Sequence, residues 1–145
     1  MNLALQAAIF QALQSPLNSV LARLVGPDGT VYQQPAIYDH VPDLVQADDH
    51  YPYVVVGDDT GSPFDTDDTD GQESTITIHV WSRSLGRAET KKVQRAIYKA
   101  LHKQLIPVAD QDTVDCIWEY AETILEADGV TRHGVQRFRI TTQEE

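Results

Sequence analysis

The spacing of apolar and polar positions is most regular in residues 73–105, where a strand pattern is followed directly by a helix pattern. Apolar and polar side chains first alternate, and after a short Ser-Leu-Gly segment the apolar side chains recur at every fourth residue. A strand places alternate residues on one face, whereas a helix repeats every 3.6 residues. The block therefore predicts a strand over 73–83 and a main helix over about 86–104. The predicted apolar face of this helix carries Val93, Ile97, Leu101 and Leu105.

The N-terminal segment has the pattern of an amphipathic helix over residues 3–14. Its apolar side is predicted to hold Leu3, Ala7, Phe10 and Leu13. Ser15-Pro16 is expected to end the helix, because a proline disfavours the helical conformation in the residue before it. A short second helix is then expected, with Asn18 or Ser19 as its cap.

The remaining apolar segments predict strands. Residues 31–38 are expected to hold one or two short strands and 53–57 a buried strand, while 113–127 and 130–142 are expected to form two long strands. The Asp-Gly pair at 128–129 predicts a hairpin between the last two, because both central residues of a type I′ turn need positive φ.

The order of these elements predicts a single α+β domain over residues 1–145. The N-terminal helix and the main helix are expected to pack on a mostly antiparallel sheet that ends in a C-terminal β-hairpin. The single cysteine, Cys116, excludes an internal disulfide and a cysteine-rich zinc site. The N-terminus lacks a basic leader, and no apolar run approaches the roughly 20 residues that cross a bilayer, so no membrane partner is expected.

Charge is distributed very unevenly around a formal net charge of −11. No lysine or arginine lies between Arg23 and Arg83, whereas twelve acidic residues do, and six of the eleven basic residues lie between Arg87 and Lys103. The acidic segment 58–72 is predicted to be a mobile loop. An acidic surface of this extent disfavours high-affinity DNA binding and favours a complementary protein surface, including a second copy of the chain.

The basic residues of the main helix recur every four positions and are predicted to lie opposite its apolar face. They are Arg87, Lys91, Arg95, Lys99 and Lys103. A solvated helix face is one interpretation, and a ridge that contacts acidic loops of a neighbouring subunit is the other, with a DNA groove the weakest. Like charges at this spacing repel one another slightly, which favours an external anionic partner. Trp81, on the strand face that carries His79, is a second candidate for an interface anchor.

The acidic segment partly matches the pattern of a calcium-binding EF-hand loop. Asp65, Asp67, Asp68 and Asp70 are its candidate residues for an interaction. With Gly71 at the sixth position of an EF-hand loop, the first and twelfth positions are Thr66 and Thr77, where strong carboxylate ligands are required. These mismatches disfavour calcium. We expect a solvated loop, or one that becomes ordered on assembly and contacts the basic ridge of a neighbour.

No arrangement of residues typical of catalysis is visible. The five histidines lack a zinc-enzyme spacing, the serines lack a nucleophile elbow, and no glycine-rich phosphate loop is present. The chain is therefore predicted not to be an enzyme, with no catalytic residue, no cofactor and no resident metal.

Three blocks in order resemble a known family. The segments YPYVVVGD at 51–58, TITIHVWSRSLGRAETKKVQRAIYKALHKQL at 75–105 and GVTRHGVQRFR at 129–139 make the chain similar to tail-completion proteins of long-tailed bacteriophages, the tail-terminator proteins that join head to tail. The resemblance implies a small α+β subunit that forms a ring, commonly of six copies, which caps the tail tube.

The same resemblance implies the partners and the location. They are other copies of the chain, the tail tube protein and the head connector or stopper protein, with DNA passing through the ring without specific binding. The location is the tail-neck junction of the virion, after assembly in the bacterial cytoplasm. Two alternatives remain at this point: another neck or connector protein, and a hydrolase that uses the acidic loop with a divalent ion.

Overall fold

The structure, a computed structural model, describes residues 3–21, 37–38, 52–83 and 86–144. Within these residues two helices pack on one face of a five-stranded sheet, as an α+β fold requires. The elements are α1 (Leu3–Leu21), β1 (Ile37–Tyr38), β2 (Tyr53–Pro63), β3 (Gly71–Ser82), α2 (Ala88–Leu101), β4 (Gln111–Leu125) and β5 (Arg132–Glu144).

The sheet has the strand order β1-β2-β3-β5-β4. β1 pairs with β2 in parallel, and all the other neighbours are antiparallel, so the prediction of a mostly antiparallel sheet is confirmed. β3 is paired along its whole length with β5, from Gly71 opposite Gln143 to Ser82 opposite Arg132. β4 lies at the edge of the sheet.

The core lies between the helices and the sheet. Ile76, Ile78 and Val80 of β3 face it at alternate positions and are at most 2% exposed. Val93, Ile97 and Leu101 of α2 are fully buried against them, as the sequence predicts.

α2 ends earlier than predicted. The helix stops at Leu101, His102 is already extended, and Lys103 takes a positive φ of 60°. The backbone N–H of Lys103 donates to the Cys116 carbonyl of β4 at 2.7 Å. Because the chain turns here toward the sheet, Leu105 does not continue the buried face and is 72% exposed.

α1 corrects two predictions. The helix continues through Pro16 to Leu21 instead of ending at Ser15, and its first buried residue is Leu5, whereas Leu3 is 80% exposed. A proline inside a helix costs about 3 kcal/mol, but the turn beyond it brings Leu17 into the core. The buried face is Leu5, Ala8, Ile9, Leu13 and Leu17, so that only Leu13 of the predicted set is among its members.

The acidic segment 58–72 is a strand pair over much of its length and not a continuous loop. β2 continues to Pro63, opposite Gln72 of β3, with an irregularity in register between Val56 and Asp59. β3 is held on its other side by β5, so it supplies a fixed template for β2. The connection is only residues 64–70, and its mobility stays a prediction.

The C-terminal hairpin is confirmed, but its turn differs from the one predicted. Gly129 has a φ of 72°, whereas Asp128 does not have a positive φ, so the turn is not type I′. The Asp128 carboxylate accepts hydrogen bonds from the backbone N–H groups of Val130 and Thr131 at 2.9 and 2.8 Å. These contacts keep residues 126–131 outside the strands, so β4 and β5 lie about two residues from the predicted bounds.

Two further expectations concern the N-terminal third. The predicted strands over 31–38 are represented by β1, and residues 31–36 lie outside the described residues. The predicted second helix is not a separate element, because α1 runs without a break to Leu21 and includes Asn18 and Ser19, which therefore do not cap a new helix. Neither helix of the described chain combines the length and the apolar character that a membrane span needs.

Candidate interaction surface

The five predicted basic residues form an exposed row along α2, which we call the basic row: Arg87, Lys91, Arg95, Lys99 and Lys103. Lys91, Arg95 and Lys99 lie on the helix itself, whereas Arg87 precedes it and Lys103 follows it. None of the five forms an ion pair with another described residue. The row therefore presents cations to the surroundings along the face opposite the buried one.

A buried contact at the start of α2 positions this helix on the sheet. The Ser82 hydroxyl, at the end of β3, donates to the Glu89 carboxylate at 2.7 Å. Burial raises the pKa of Glu89, while the Ser82 hydrogen bond acts in the opposite direction. The helix is thereby tied to the strand that precedes it.

The predicted acidic residues lie in a closed turn, which we call the acidic turn: residues 64–70. The backbone N–H of Phe64 donates to the Gly71 carbonyl at 3.0 Å, and the N–H of Gly71 donates to the Asp65 carboxylate at 3.0 Å. Thr66 and Thr69 join within the turn through a backbone hydrogen bond of 2.8 Å. Asp65, Asp67, Asp68 and Asp70 are all exposed there.

Gly71 is required where the acidic turn closes. A Cβ at this position would overlap the Phe64 carbonyl and lie 3.0 Å from that of Thr142. Both neighbours are backbone atoms and cannot move aside cheaply. The turn is therefore held close to the sheet, with the Phe64 side chain 41% exposed.

A groove between α2 and β4 is a surface that the sequence analysis does not identify. It has a volume of about 380 Å³, and we call it the aromatic groove. Its lining residues are Gln94, Arg95, Tyr98, Trp118, Ala121 and Gln136. Trp118 is 38% exposed, and its ring meets Tyr98 edge-on at 5.7 Å between centroids. Arg95 belongs both to the groove and to the basic row.

Hydrogen bonds hold the walls of the aromatic groove. The Gln94 side chain donates to the Glu122 carbonyl of β4 at 3.1 Å, and Gln136 donates to the Gln94 carbonyl at 3.1 Å. His102 Nδ1 accepts from the Trp118 backbone N–H at 3.0 Å. The helix and the edge strand therefore keep a fixed separation.

Trp81 lies on the opposite face of the sheet, as predicted, in a stack of rings. Its indole is 3.8 Å from the His133 ring and 6.4 Å from that of Tyr53, measured between centroids. His79 and His133 are joined at 2.7 Å, and His133 contacts the Glu126 carboxylate at 2.9 Å. One face of the indole ring therefore packs against residues of its own chain, and the role of Trp81 as an interface anchor stays a prediction.

Cys116 and His79, near these surfaces, have shifted pKa values. Burial, followed by the charge of Asp115, raises the pKa of the Cys116 thiol to about 12, so the group stays protonated at neutral pH. Burial and the neighbouring His133 lower the pKa of His79. Among the described residues, no three His, Cys, Asp or Glu side chains are grouped so that they could hold a metal ion.

The structure brings together the five residues of the basic row, but none of the acids of the acidic turn forms an ion pair with them. The acidic turn adjoins Gly71 at one end of β3, whereas α2 begins beyond Ser82 at the other end and returns along the sheet to Lys103, beside Cys116 of β4. The aromatic groove was not predicted from the sequence, and no sequence signal marks it. Only the position of β4 at the edge of the described sheet leaves the groove open.

Comparisons with known proteins agree on one family. The family model described as Tail completion protein gp17 matches residues 7–143 of the chain. A relative, Tail completion protein gp17 of Bacillus phage SPP1, is 35% identical over 94 residues, which cover 65% of this chain and 69% of the relative.

A solved structure shares the fold. A chain in the virion of a native gene transfer agent particle superposes with a TM-score of 0.77 at 24% sequence identity. The superposition covers 96% of this chain and 94% of that chain. The similarity extends over both helices and the sheet.

Proposed function

Because the chain belongs to the tail completion protein gp17 family, we propose that several copies of it form a ring that closes the tail tube and offers the surface to which the head attaches. Membership confirms the resemblance seen in the sequence and makes the chain a structural component of a phage virion. It also confirms that the chain is not an enzyme, which removes the hydrolase alternative.

The observation that carries the ring is the separation of two exposed surfaces of opposite charge. A ring needs a head-to-tail contact, in which one patch of a subunit meets a different patch of the next. The basic row supplies one such patch and the acidic turn supplies another, in different parts of the described structure. Identical patches of like charge would instead repel.

The proposal extends to the partners of the ring. One of its faces contacts the tail tube protein and the other the head connector or stopper protein, and six copies complete it. The net charge of −11 disfavours contacts with phosphates, so DNA passes through without binding. Cross-linking in assembled particles tests the two faces: cross-links to only the head connector would favour another neck protein.

Charge reversal tests the ring contact. The double variant Arg95→Glu/Lys99→Glu is expected to abolish rings seen by light scattering and negative-stain electron microscopy, and to abolish tail completion. Arg132→Glu/Arg139→Glu is the matched control, because it makes the same change in net charge on strand β5, outside the basic row and the aromatic groove. Unchanged ring formation by the first variant would remove the basic row from the contact.

A further inference from the structure

The Phe64 side chain is an apolar projection that its own chain holds in place. It is 41% exposed at the start of the acidic turn. The hydrogen bonds from Phe64 to Gly71 and from Gly71 to Asp65, both 3.0 Å, fix the backbone around it. Because these bonds restrict the backbone, binding costs less conformational entropy than it would for an open loop.

The aromatic groove has the matching character. Tyr98, Trp118 and Ala121 supply an apolar floor, and Arg95 lies at its edge with Lys91 and Lys99 one helical turn to either side. The nearest acids of β4 face away, since Glu119 contacts Arg137 and Glu122 lies opposite Val135. The groove is therefore apolar at its centre and cationic at its rim.

The acidic turn combines one exposed apolar side chain with exposed acids. Asp65, Asp67, Asp68 and Asp70 follow Phe64 within six residues of the sequence, and all are exposed. An apolar centre with a charged rim is the usual organisation of a protein interface. The two surfaces are complementary both in apolar character and in charge.

The two surfaces of one subunit cannot meet. The acidic turn closes at Gly71, opposite Gln143, whereas the groove residue of the sheet that lies nearest to it along the strands is Trp118, opposite Phe138. The five residue steps from Phe138 to Gln143 span roughly 16 Å of extended strand, at about 3.3 Å per residue. A contact between the turn and the groove therefore requires a second copy of the chain.

Pairing of strand edges is a weaker alternative for the same contact. Beyond its pairing with β1, β2 carries Asp58 and Asp59 on an edge that no described strand covers, and β4, at the edge of the described sheet, carries Asp112, Asp115 and Glu119. Acids would face acids, and Pro63 lacks a donor for the new ladder. The charges thus favour the turn and the groove over a continuous sheet.

We propose that Phe64 of one copy inserts into the aromatic groove of the next copy, where the surrounding aspartates meet Arg95 and its neighbours. This contact rests on the proposed ring and gives it a defined direction. Each subunit donates its acidic turn on one side and receives a turn on the other, so the contact is head-to-tail.

A cysteine pair tests the contact in assembled protein. The variant Phe64→Cys/Ala121→Cys is expected to form disulfide-linked oligomers on oxidation, resolved as a ladder on a non-reducing gel. Phe64→Cys with Val130→Cys is the matched control, because Val130 is 55% exposed but lies on the turn before β5, away from the groove. The native Cys116 is buried and does not interfere.

The outcomes separate this contact from the ring itself. Rings seen by electron microscopy, free or on isolated tails, without the Phe64–Ala121 cross-link would overturn the contact and leave the proposed function standing. If the natural protein formed no rings, either free or on isolated tails, both the contact and the proposed function would be overturned. Equal cross-linking at Val130 would also count against the groove.

Substitution of Phe64 provides a second measurement. Phe64→Ser is expected to weaken association by about tenfold or more, as for an interface anchor, and Phe64→Leu is expected to restore most of it. Urea unfolding of each variant distinguishes a loss of association from a loss of folding. Association of Phe64→Ser equal to that of the natural protein would refute the insertion.

Discussion

Gly134 of β5 packs directly against α2, and its replacement by alanine tests that packing. A Cβ there would lie 2.7 Å from both Thr90 Cγ2 and Gln94 Nε2, and 3.1 Å from Gln94 Cδ. Thr90 is fully buried and Gln94 is 8% exposed, so neither can move aside into solvent. The helix must shift, or Gln94 must abandon its position.

The magnitude follows from these contacts. Overpacking a core typically costs about 1–3 kcal/mol, and loss of the Gln94 hydrogen bond to the Glu122 carbonyl adds about 1 kcal/mol. The smaller entropy of the unfolded alanine chain offsets about 0.4–1 kcal/mol. We therefore expect Gly134→Ala to lower the free energy of unfolding by about 1–3 kcal/mol, and Tm by about 4 °C for each kcal/mol.

Gly61→Ala is the matched control, because it is the same substitution in another strand. Its Cβ would lie 2.7 Å from Gln72 Nε2, the end of a flexible side chain that can turn away. We expect a change of no more than about 0.5 kcal/mol. Urea unfolding followed by tryptophan fluorescence measures both variants, and an unchanged m-value confirms that the unfolding reaction is the same.

The result that would refute this reasoning is a Gly134→Ala protein at least as stable as the natural one, with Gly61→Ala also unchanged. In that case α2 would not rest on β5 at Gly134. The aromatic groove, whose walls depend on that separation, would then have a different shape.

Three further changes have defined outcomes. Phe138→Ala, at a fully buried position, is expected to lower the free energy of unfolding by about 3–5 kcal/mol in the same urea assay; a loss below 1 kcal/mol would contradict its place in the core. Burial and His133 hold the pKa of His79 below its usual value, so on acidification the unfolded chain binds this proton at a higher pH than the folded chain. The free energy of unfolding should therefore decrease as pH falls below about 6.5. His79→Gln should flatten this part of the stability–pH profile, and an unchanged slope would argue against His79 as its source. Hydrogen bonds from Thr131 hold the pKa of Asp128 at about 2, so the stability lost in Asp128→Ala should be largest above pH 4 and shrink as pH falls through about 2. If the difference in stability between Asp128→Ala and the natural protein did not depend on pH, the carboxylate would be excluded as its cause.

The candidate surface was predicted only in part. The spacing of the basic residues predicts an exposed row, and all five are exposed, because the opposite helix face is recognisable from its own apolar residues. Phe64 and the aromatic groove were not predicted, because each depends on strands that are distant in sequence. Trp118 is a large apolar residue within a predicted strand, yet it is 38% exposed, since none of the described strands lies beyond β4.

The sequence by itself determined the features that arise from neighbouring residues. The change of period between β3 and α2 identifies both elements and their buried faces, and Gly129 identifies the last hairpin, because side-chain direction and turn conformation are local properties. Three sequence blocks in order also indicated membership of the family.

Only the tertiary structure determined which elements bury which residues. α1 continues through Pro16, because Leu17 gains a place in the core. Much of the acidic segment forms strands, because β3 is paired with β5 and provides an edge on which β2 can pair. Burial depends on elements that are remote in the chain, and the period of a single segment cannot specify them.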